Sequence, residues 1–234
     1  MSALIVDIET VGEKWEEVDQ QTKVVLAGRV LKMHPEYTEE EVEEAALLEM
    51  GATPFTGEIV AIGVLDNDTK KGAVYYQAKE GSEETEENGV KLKPCSEKEM
   101  LELFWKLSER YTHFITYSGR TFDMPYIMIR SAIHGIRPKK DLMKNRYLNY
   151  QSPGSVHIDL FDQLNFYGSF RSLGGLHLAC RVFGIESPKD GSIDGSQVGE
   201  FFRAGKALEI AQYNARDLFA TAALYEKWQD LLQF

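Results

Sequence analysis

The chain of 234 residues has 43% hydrophobic residues and a net charge of −11, a composition typical of a globular protein. It contains neither a long apolar run nor a basic N-terminal region followed by an apolar one, so we expect no membrane span and no secretory signal. Its two cysteines, Cys95 and Cys180, are too few for a disulfide scaffold. These features indicate a cytoplasmic protein without a membrane partner.

The negative charge is concentrated in two segments. Residues 36–49 contain seven Glu and residues 80–88 contain five, with no Lys or Arg in either, so the rest of the chain carries about +1. The stretch RPKKDLMKNR (137–146) is basic. This distribution permits a small basic contact with nucleic acid and does not favour extensive binding to a duplex.

Five apolar, β-rich runs predict strands. In chain order, the runs are ALIVDIE (3–9), GEIVAIGVLDND (57–68), KGAVYYQAK (71–79), HFITYSG (113–119) and the start of VHIDLFDQL (156–164). A short polar turn joins the second run to the third, which indicates a hairpin.

Four segments with helical periodicity follow or separate the later strands. They are SEKEMLELFWKLSERY (96–111), DMPYIMIRSAIHG (123–135), SLGGLHLACRVFG (172–184) and residues 206–232. The first has Ser96 as its N-cap and Glu99 in the position that completes a capping box. Together, strands and helices predict an α/β fold with a mixed five-stranded sheet flanked by helices.

Two segments interrupt this plan, and we interpret both as insertions in one domain that spans residues 1–234. Residues from about 11 to 55 contain one acidic amphipathic helix with a capping box formed by Thr38 and Glu41. Residues from about 80 to 95 are expected to form a mobile charged loop. The acidic helix is either a docking site for a basic partner or, as we favour, a solvated helix.

Two carboxylates at the end of the first strand are candidate metal ligands. Asp7 and Glu9 are two residues apart, so they lie on the same face of the strand with backbones roughly 7 Å apart. Such carboxylates repel each other and lose hydration on burial, and a divalent ion such as Mg²⁺ or Mn²⁺ removes both costs. Because the chain has 37 acidic residues, this motif also arises by chance, and a solvated strand end is the alternative.

Further acids occur at a strand–helix junction and on the last helix. Asp123 begins a helix, where it either caps the helix or contributes to a site. Tyr213 and Asp217 are four residues apart and share one helix face. They are either a surface pair or a metal ligand with a hydroxyl group beside it that orients water.

The three segments, in this order and in these settings, resemble the three exonuclease motifs of the DEDD superfamily, which has the ribonuclease H-like fold. Tyr213 matches the DEDDy branch, since the DEDDh branch would have His where this chain has Gln212. The segments SGRTFDMPYI, HIDLFDQL, SLGGLHLACRVFGI and KDGSIDGSQVGEFF resemble predicted 3′–5′ exonucleases related to the proofreading domain of bacterial family B DNA polymerases. The resemblance covers the first strand and most of residues 57–232. That family commonly has Asn at the position of Ser118.

The resemblance implies hydrolysis of phosphodiester bonds with two Mg²⁺ or Mn²⁺ ions. Asp7 would bridge the ions, Glu9 and Asp217 would complete the one that binds the attacking water, and Asp123 would support the other. Tyr213 would orient the water. The product would be a nucleoside 5′-monophosphate from a 3′ end.

Substrate contacts are also implied by the resemblance. The backbone of Thr10 and Val11 would meet the terminal sugar, Ser118 would lie near the substrate, and Phe122 would stack on a base unless it packs in the core. The residues alone also suggest candidate phosphate contacts, with a solvated charged face as the alternative: Lys139, Lys140, Lys144, Arg146 and Arg171. We expect structural roles for Asp159, His157 and His177.

Three functions remain open. The first is a 3′–5′ exonuclease acting on single-stranded DNA or an unpaired 3′ end, with DNA favoured over RNA. The second is the same reaction on RNA, and the third is a non-catalytic nucleic-acid-binding module or polymerase accessory. Any proofreading role would need a replication or repair partner, which the sequence does not identify.

Overall fold

The computed structural model describes residues 2–79, 81–170, 174–187, 193 and 195–233, and in these ranges seven strands form one mixed sheet. The strands are β1 (Ala3–Gly12), β2 (Gly57–Asp66), β3 (Gly72–Tyr76), β4 (Thr85–Glu87), β5 (Val90–Pro94), β6 (His113–Thr116) and β7 (Val156–Asp159). Their order across the sheet is β4-β5-β3-β2-β1-β6-β7. β1, β2 and β3 form an antiparallel meander, whereas β6 is parallel to β1, β7 to β6, and β5 to β3. The α/β fold class and the mixed sheet are therefore confirmed.

The sheet has two more strands than the five predicted. β4 and β5 lie in the segment that we expected to form a charged mobile loop. In β5, Val90 and Leu92 are buried and Lys91 is exposed, which is the period of two that a half-buried strand requires. The surrounding charged residues hide this short alternation in the sequence.

Eight α-helices surround the sheet in the described part of the chain. They are α1 (Gln20–Met33), α2 (Glu39–Gly51), α3 (Glu97–Ser108), α4 (Asp123–Ile133), α5 (Leu160–Leu164), α6 (Leu176–Val182), α7 (Val198–Arg203) and α8 (Ala207–Leu232). Both predicted capping boxes are present, with Thr38 and Glu41 at α2 and with Ser96 and Glu99 at α3.

The segment between β1 and β2 contains two helices rather than the single acidic helix predicted. α1 begins at the N-cap Asp19, whose side chain accepts hydrogen bonds from two backbone amides. Its apolar residues do not lie on one face, since Val24 and Val25 are exposed while Leu26 and Val30 are buried. Without a clear apolar stripe, this helix has no strong periodic signal in the sequence.

Each face of the sheet carries its own apolar core. α8 covers one face with residues such as Leu218 and Leu224, and α3 and α4 cover the other with residues such as Phe104 and Ile127. α1 and α2 pack together around a smaller third core. None of the helices in the described ranges is both long and apolar enough to cross a membrane.

A buried ion-pair network joins α3 to α4 and to β2. Glu97 accepts hydrogen bonds from Arg130 Nε at 2.8 Å, from Arg130 Nη2 at 2.6 Å and from the amide of Ile59 at 2.8 Å. His134 Nε2 lies 2.6 Å from the same carboxylate. Burial would raise the pKa of Glu97, but these hydrogen bonds and the Arg130 charge hold it below its ordinary value.

Candidate functional site

The centre of the sheet positions the two carboxylates of the first strand. Asp7 and Glu9 point to the face of β1 that α8 covers, as their spacing predicts, and Glu9 is buried. Directly after Glu9, the pairing of β1 with β2 shifts by one residue, so Val60 is the additional residue of a β-bulge. Bulges of this kind are common beside functional sites because they redirect a strand end.

The last helix approaches β1 closely at Asp7. Asn214 of α8 is fully buried, and its Nδ2 donates a 2.7 Å hydrogen bond to Asp7 Oδ2. Gly63 pairs with Asp7 across the strands, and a Cβ atom placed there would lie 1.9 Å from Asn214 Oδ1. The absence of a side chain at Gly63 therefore lets Asn214 reach the strand.

Three carboxylates meet at this contact between strand and helix. One carboxylate oxygen from each of Asp7, Glu9 and Asp217 lies within 4.8 Å of the other two. We call these three residues the acidic cluster. Burial and the charges of Asp123, Asp217 and Glu9 raise the pKa of Asp7 well above its ordinary range. Burial, Asp217 and Asp123 do the same to Glu9, and a hydrogen bond from Asn214 offsets only part of the shift.

Asp123 lies beside the acidic cluster but on a different element. It is the first residue of α4, is buried, and accepts a 3.1 Å hydrogen bond from the amide of Ile8. Burial and the charges of Asp159 and Asp217 raise its pKa to about 7, despite the hydrogen bonds that favour the ionised form. The hydrogen bond to Ile8 fixes Asp123 to the strand that carries Asp7.

Tyr213 lies one turn before Asp217 on α8 and is buried. Burial, followed by the charges of Asp217, Glu9 and Asp7, raises its pKa well above the ordinary value, and a hydrogen bond to Asp217 adds to the shift. Its hydroxyl group therefore stays protonated at neutral pH and acts as a hydrogen-bond donor.

The turn after β6 contains Ser118 in a left-handed conformation with φ of 63°. The amide of Ser118 donates a 2.8 Å hydrogen bond to Asp159, which also accepts from the amides of Arg120 and Phe161. Asp159 therefore has the structural role expected of it. Asn adopts positive φ more readily than Ser, so Ser118 has a backbone conformation that would also suit Asn.

The remaining candidate substrate residues share a cleft. Thr10, Val11 and Phe122 line a depression of about 600 Å³ beside the acidic cluster, between α2 and α7. Phe122 is only partly buried, and it also packs against the core, with its ring centroid 5.5 Å from that of Tyr126. The Thr10 hydroxyl donates a 2.7 Å hydrogen bond to the carbonyl group of Gly51.

The two histidines belong to polar networks, as expected. His157 is buried, with Nε2 2.8 Å from the Thr116 hydroxyl, and burial lowers its pKa to about 3. His177 Nδ1 lies 2.5 Å from the hydroxyl of Ser187.

Most of the basic candidates also have structural partners. Lys140 donates hydrogen bonds to two backbone carbonyl groups, Lys144 donates to a serine hydroxyl, and Arg146 forms an ion pair with a carboxylate. Lys139 is exposed. Arg171 lies outside the described residues. Phosphate contacts by these residues stay a prediction.

The donor set fits a divalent cation. Burial and mutual repulsion of Asp7 and Glu9 make their ionised forms costly, and a cation between the carboxylates removes both costs. All-oxygen ligands favour hard ions such as Mg²⁺ and Mn²⁺. Asp7, Glu9 and Asp217 are close enough together to share one ion.

Sequence reasoning missed two residues that shape this site. Asn214 lies within the motif that contains Tyr213 and Asp217, but its partner Asp7 is 207 residues away in the chain. Gly63 carries no functional group, and only its place opposite Asp7 gives it a role. The only signal in the sequence is that Asn214 is a polar residue close to the helix face that carries Tyr213 and Asp217.

Comparisons with known proteins complete this description. A family model described as "Predicted 3'-5' exonuclease related to the exonuclease domain of PolB" matches residues 56–233. The solved structure of the family B DNA polymerase from the hyperthermophilic archaeon Pyrobaculum calidifontis is similar with a TM-score of 0.62 at 15% sequence identity. The similarity covers 97% of this chain and 24% of the polymerase. At that identity the similarity shows the fold alone. None of the curated proteins compared with the chain matches it.

Proposed function

Because the chain belongs to the family of predicted 3′–5′ exonucleases related to the exonuclease domain of PolB, we propose that it hydrolyses single-stranded DNA, or unpaired ends, from the 3′ terminus. The products are nucleoside 5′-monophosphates. The observation that carries the proposal is the acidic cluster, in which three carboxylate oxygens lie within 4.8 Å of one another.

Asp7, Glu9 and Asp217 would hold one Mg²⁺ or Mn²⁺ ion, and Asp7 and Asp123 would hold a second. When bound, two such ions stabilise the charges on the attacking and leaving oxygens of a phosphodiester. Asn214 holds one oxygen of Asp7 with its 2.7 Å hydrogen bond. That contact fixes the orientation of the carboxylate before any ion or substrate arrives.

Tyr213 orients the attacking water in this proposal. Its raised pKa excludes a role as a base at neutral pH, so the hydroxyl group positions the water by a hydrogen bond. Thr10 and Val11 contact the terminal sugar through their backbone, while Ser118 and Phe122 lie near the terminal nucleotide. The shared cleft of Thr10, Val11 and Phe122 supports this arrangement.

Two alternatives use the same site. The same reaction on RNA differs only in recognition of the 2′-hydroxyl group. A non-catalytic nucleic-acid-binding module would have no need for a buried group of carboxylates. The presence of all four carboxylates together with Tyr213 favours the enzyme.

We also propose that residues 1–234 form one exonuclease domain in which the segment with α1 and α2 is an insertion. The pairing of β1 with β2 and β6 supports one domain, and the family match begins at residue 56, directly after the proposed insertion. A role in replication or repair would involve a protein partner.

The test is hydrolysis of matched DNA and RNA oligonucleotides labelled at the 5′ or the 3′ end. We expect stepwise shortening from the 3′ end in Mg²⁺ or Mn²⁺, no reaction in EDTA, and none for Asp7→Ala. Tyr213→Phe should lower kcat at least about tenfold while the protein stays folded. Binding of the oligonucleotides without any shortening in Mn²⁺ would refute the proposal and favour the non-catalytic module, whereas faster shortening of RNA would select the first alternative.

A further inference from the structure

Two different helices form the walls of the cleft beside the acidic cluster. None of the wall residues is among the predicted substrate contacts. α2 supplies one wall with Leu48 and Glu44, and α7 supplies the other with Arg203 and Glu200. We propose that these walls bind the unpaired nucleic-acid strand, with Leu48 contacting a base and Arg203 a phosphate group. The inference rests on the proposed function, since it names how the substrate of that site is held.

Two elements, β1 and α4, connect the cleft to the carboxylates. Thr10 on its floor follows Glu9 on β1, and Phe122 precedes Asp123 at the start of α4. None of the four carboxylates is among the described residues that line the cleft itself, but a strand lying in it would be one residue along the chain from Glu9 and from Asp123.

The wall formed by α2 is fixed in place and carries an exposed leucine beside Glu44. Leu48 is 55% exposed, which leaves a large hydrophobic side chain free to contact a ligand. Hydrogen bonds from the hydroxyl groups of Thr10 and Tyr126 to the carbonyl group of Gly51 hold the end of the helix. Gly12 allows the close approach, because a Cβ atom there would lie 2.8 Å from Met50 Cβ. A base has an apolar face that suits such a wall.

The wall formed by α7 supplies the positive charge. Arg203 is exposed and, within the described part of the chain, forms no ion pair. A guanidinium group binds a phosphate through two parallel hydrogen bonds. An exposed leucine on one wall and an exposed arginine on the other match the two chemical parts of a nucleotide, its base and its phosphate.

The charges in the cleft also limit how much nucleic acid it accepts. The described lining contains one cation, Arg203, and two carboxylates, Glu44 and Glu200. A single strand can place one phosphate at Arg203 and keep the others in solvent, whereas a duplex brings a second row of phosphates towards Glu44. The cleft therefore favours an unpaired strand over a duplex.

The experiment measures binding and hydrolysis separately. Binding of a fluorescent oligothymidine is followed by anisotropy in EDTA at several salt concentrations, and KM and kcat are measured in Mn²⁺. The variants are Arg203→Gln, Leu48→Ala and Glu44→Gln. Matched controls are Arg110→Gln, near the opposite end of β1, and Leu231→Ala, about 20 Å along α8 from Asp217. All five positions are exposed, so we expect folded proteins.

We expect Arg203→Gln to weaken binding about fivefold at low salt and to reduce the slope of log affinity against log salt by about 0.7, the value for one phosphate of a single strand. Leu48→Ala should weaken binding about threefold with an unchanged slope, since it removes only apolar contact. Glu44→Gln should tighten binding, most of all for a duplex end. In hydrolysis these changes should appear in KM, with kcat nearly unchanged.

Wild-type affinity and slope in both Arg203→Gln and Leu48→Ala would overturn the inference, as would equal losses in the two controls. If these variants weaken binding as expected and the wild-type protein shortens no oligonucleotide in Mn²⁺, the proposed function fails while the inference stands. If the protein hydrolyses DNA and the variants keep the wild-type Kd and KM, the inference alone fails.

Discussion

The acidic cluster and Glu97 lie beside the central strands of this fold, and their surroundings act on the carboxylates in opposite directions. Glu97 is surrounded by donors and cations, and its pKa is held below the ordinary value. Asp7 and Glu9 face other carboxylates, and their pKa values are raised. Both groups contact β2 or its partner β1, and burial raises the pKa of each carboxylate, but only Glu97 has hydrogen-bond donors and a cation that outweigh this effect.

The difference shows how a structural acid is distinguished from a candidate functional one. The protein itself supplies the counter-charge for Glu97, which joins α3 to α4. For Asp7 and Glu9, Asn214 supplies a hydrogen bond but no charge. A divalent ion is the component that would balance them, and this prediction can be tested by changing one group at a time.

The largest expected effect is on hydrolysis. Asp217→Asn keeps the size of the side chain but removes one charge, so activity in Mn²⁺ should fall by about a thousandfold or more, which corresponds to about 4 kcal/mol in the barrier. Steady-state hydrolysis of a labelled oligonucleotide measures the loss. Without metal the variant should be at least as resistant to heat as the wild type, because less repulsion remains. Activity close to wild type would mean that Asp217 is not a ligand.

Glu97→Gln should affect stability rather than hydrolysis. Arg130, whose side chain is only 12% exposed, would keep its charge and lose its counter-charge. We expect the free energy of unfolding to fall by about 3 kcal/mol. Urea denaturation measures it, with the exposed Glu102→Gln on the same helix as the control. Activity per folded molecule should change little. Equal stability of the two variants would show that the network contributes nothing.

The effect of Mn²⁺ on the melting temperature should distinguish the acidic cluster from Glu97. A ligand present at 100 times its Kd stabilises the folded state by about 2.7 kcal/mol. We expect Mn²⁺ to raise the melting temperature of wild type and of Glu97→Gln, and to have little effect on Asp217→Asn. An equal gain in all three proteins would place the bound ion elsewhere.

The contribution of Asp123 to the pH dependence of stability should have the opposite sign to that of Glu97. Asp123 has an ordinary pKa of 3.8 and a folded value of about 7, so between these values the folded state binds more protons than the unfolded state. Stability in EDTA should therefore fall as the pH rises from about 4 to about 7, by up to about 1.4 kcal/mol per pH unit for each such group. Glu97, whose pKa is lowered, contributes stability that is lost as the pH falls through its ordinary value of 4.5 and below.

Urea denaturation at a series of pH values tests this expectation. Excess Mn²⁺ should flatten the decline above pH 4, because the bound ion favours the ionised carboxylates. A metal-free protein whose stability rises between about pH 5 and pH 7 would contradict the assigned direction.

Local signals predicted much of the fold. A capping box depends on residues three apart, so Thr38 with Glu41 and Ser96 with Glu99 could be found in the sequence. The shared face of Asp7 and Glu9 follows from the period of a strand. The elements missed are α1, α5, α7, β4 and β5. α1 has weak periodicity and the others are six residues or shorter, so contacts with the rest of the fold stabilise them.

Local sequence patterns also identified only part of the candidate site. The motifs identified the carboxylates and Tyr213, since each lies in a recognisable local pattern. Asn214 and Gly63 could not be found in this way, because their roles come from contacts across the sheet. Likewise, the sequence of α2 indicates a solvated helix, and only the structure places Leu48 on the wall of the cleft.

Gly63 should tolerate substitution poorly because of its contact with α8. An added methyl group would lie 1.9 Å from Asn214 Oδ1 and 2.9 Å from Leu218 Cδ1, so α8 would have to move away or Asn214 would have to rotate. Either response breaks the hydrogen bond to Asp7 and changes the position of the helix that carries Asp217. In a saturation mutagenesis experiment selected for activity, Gly63 should therefore be as intolerant as the carboxylates, although it has no side chain.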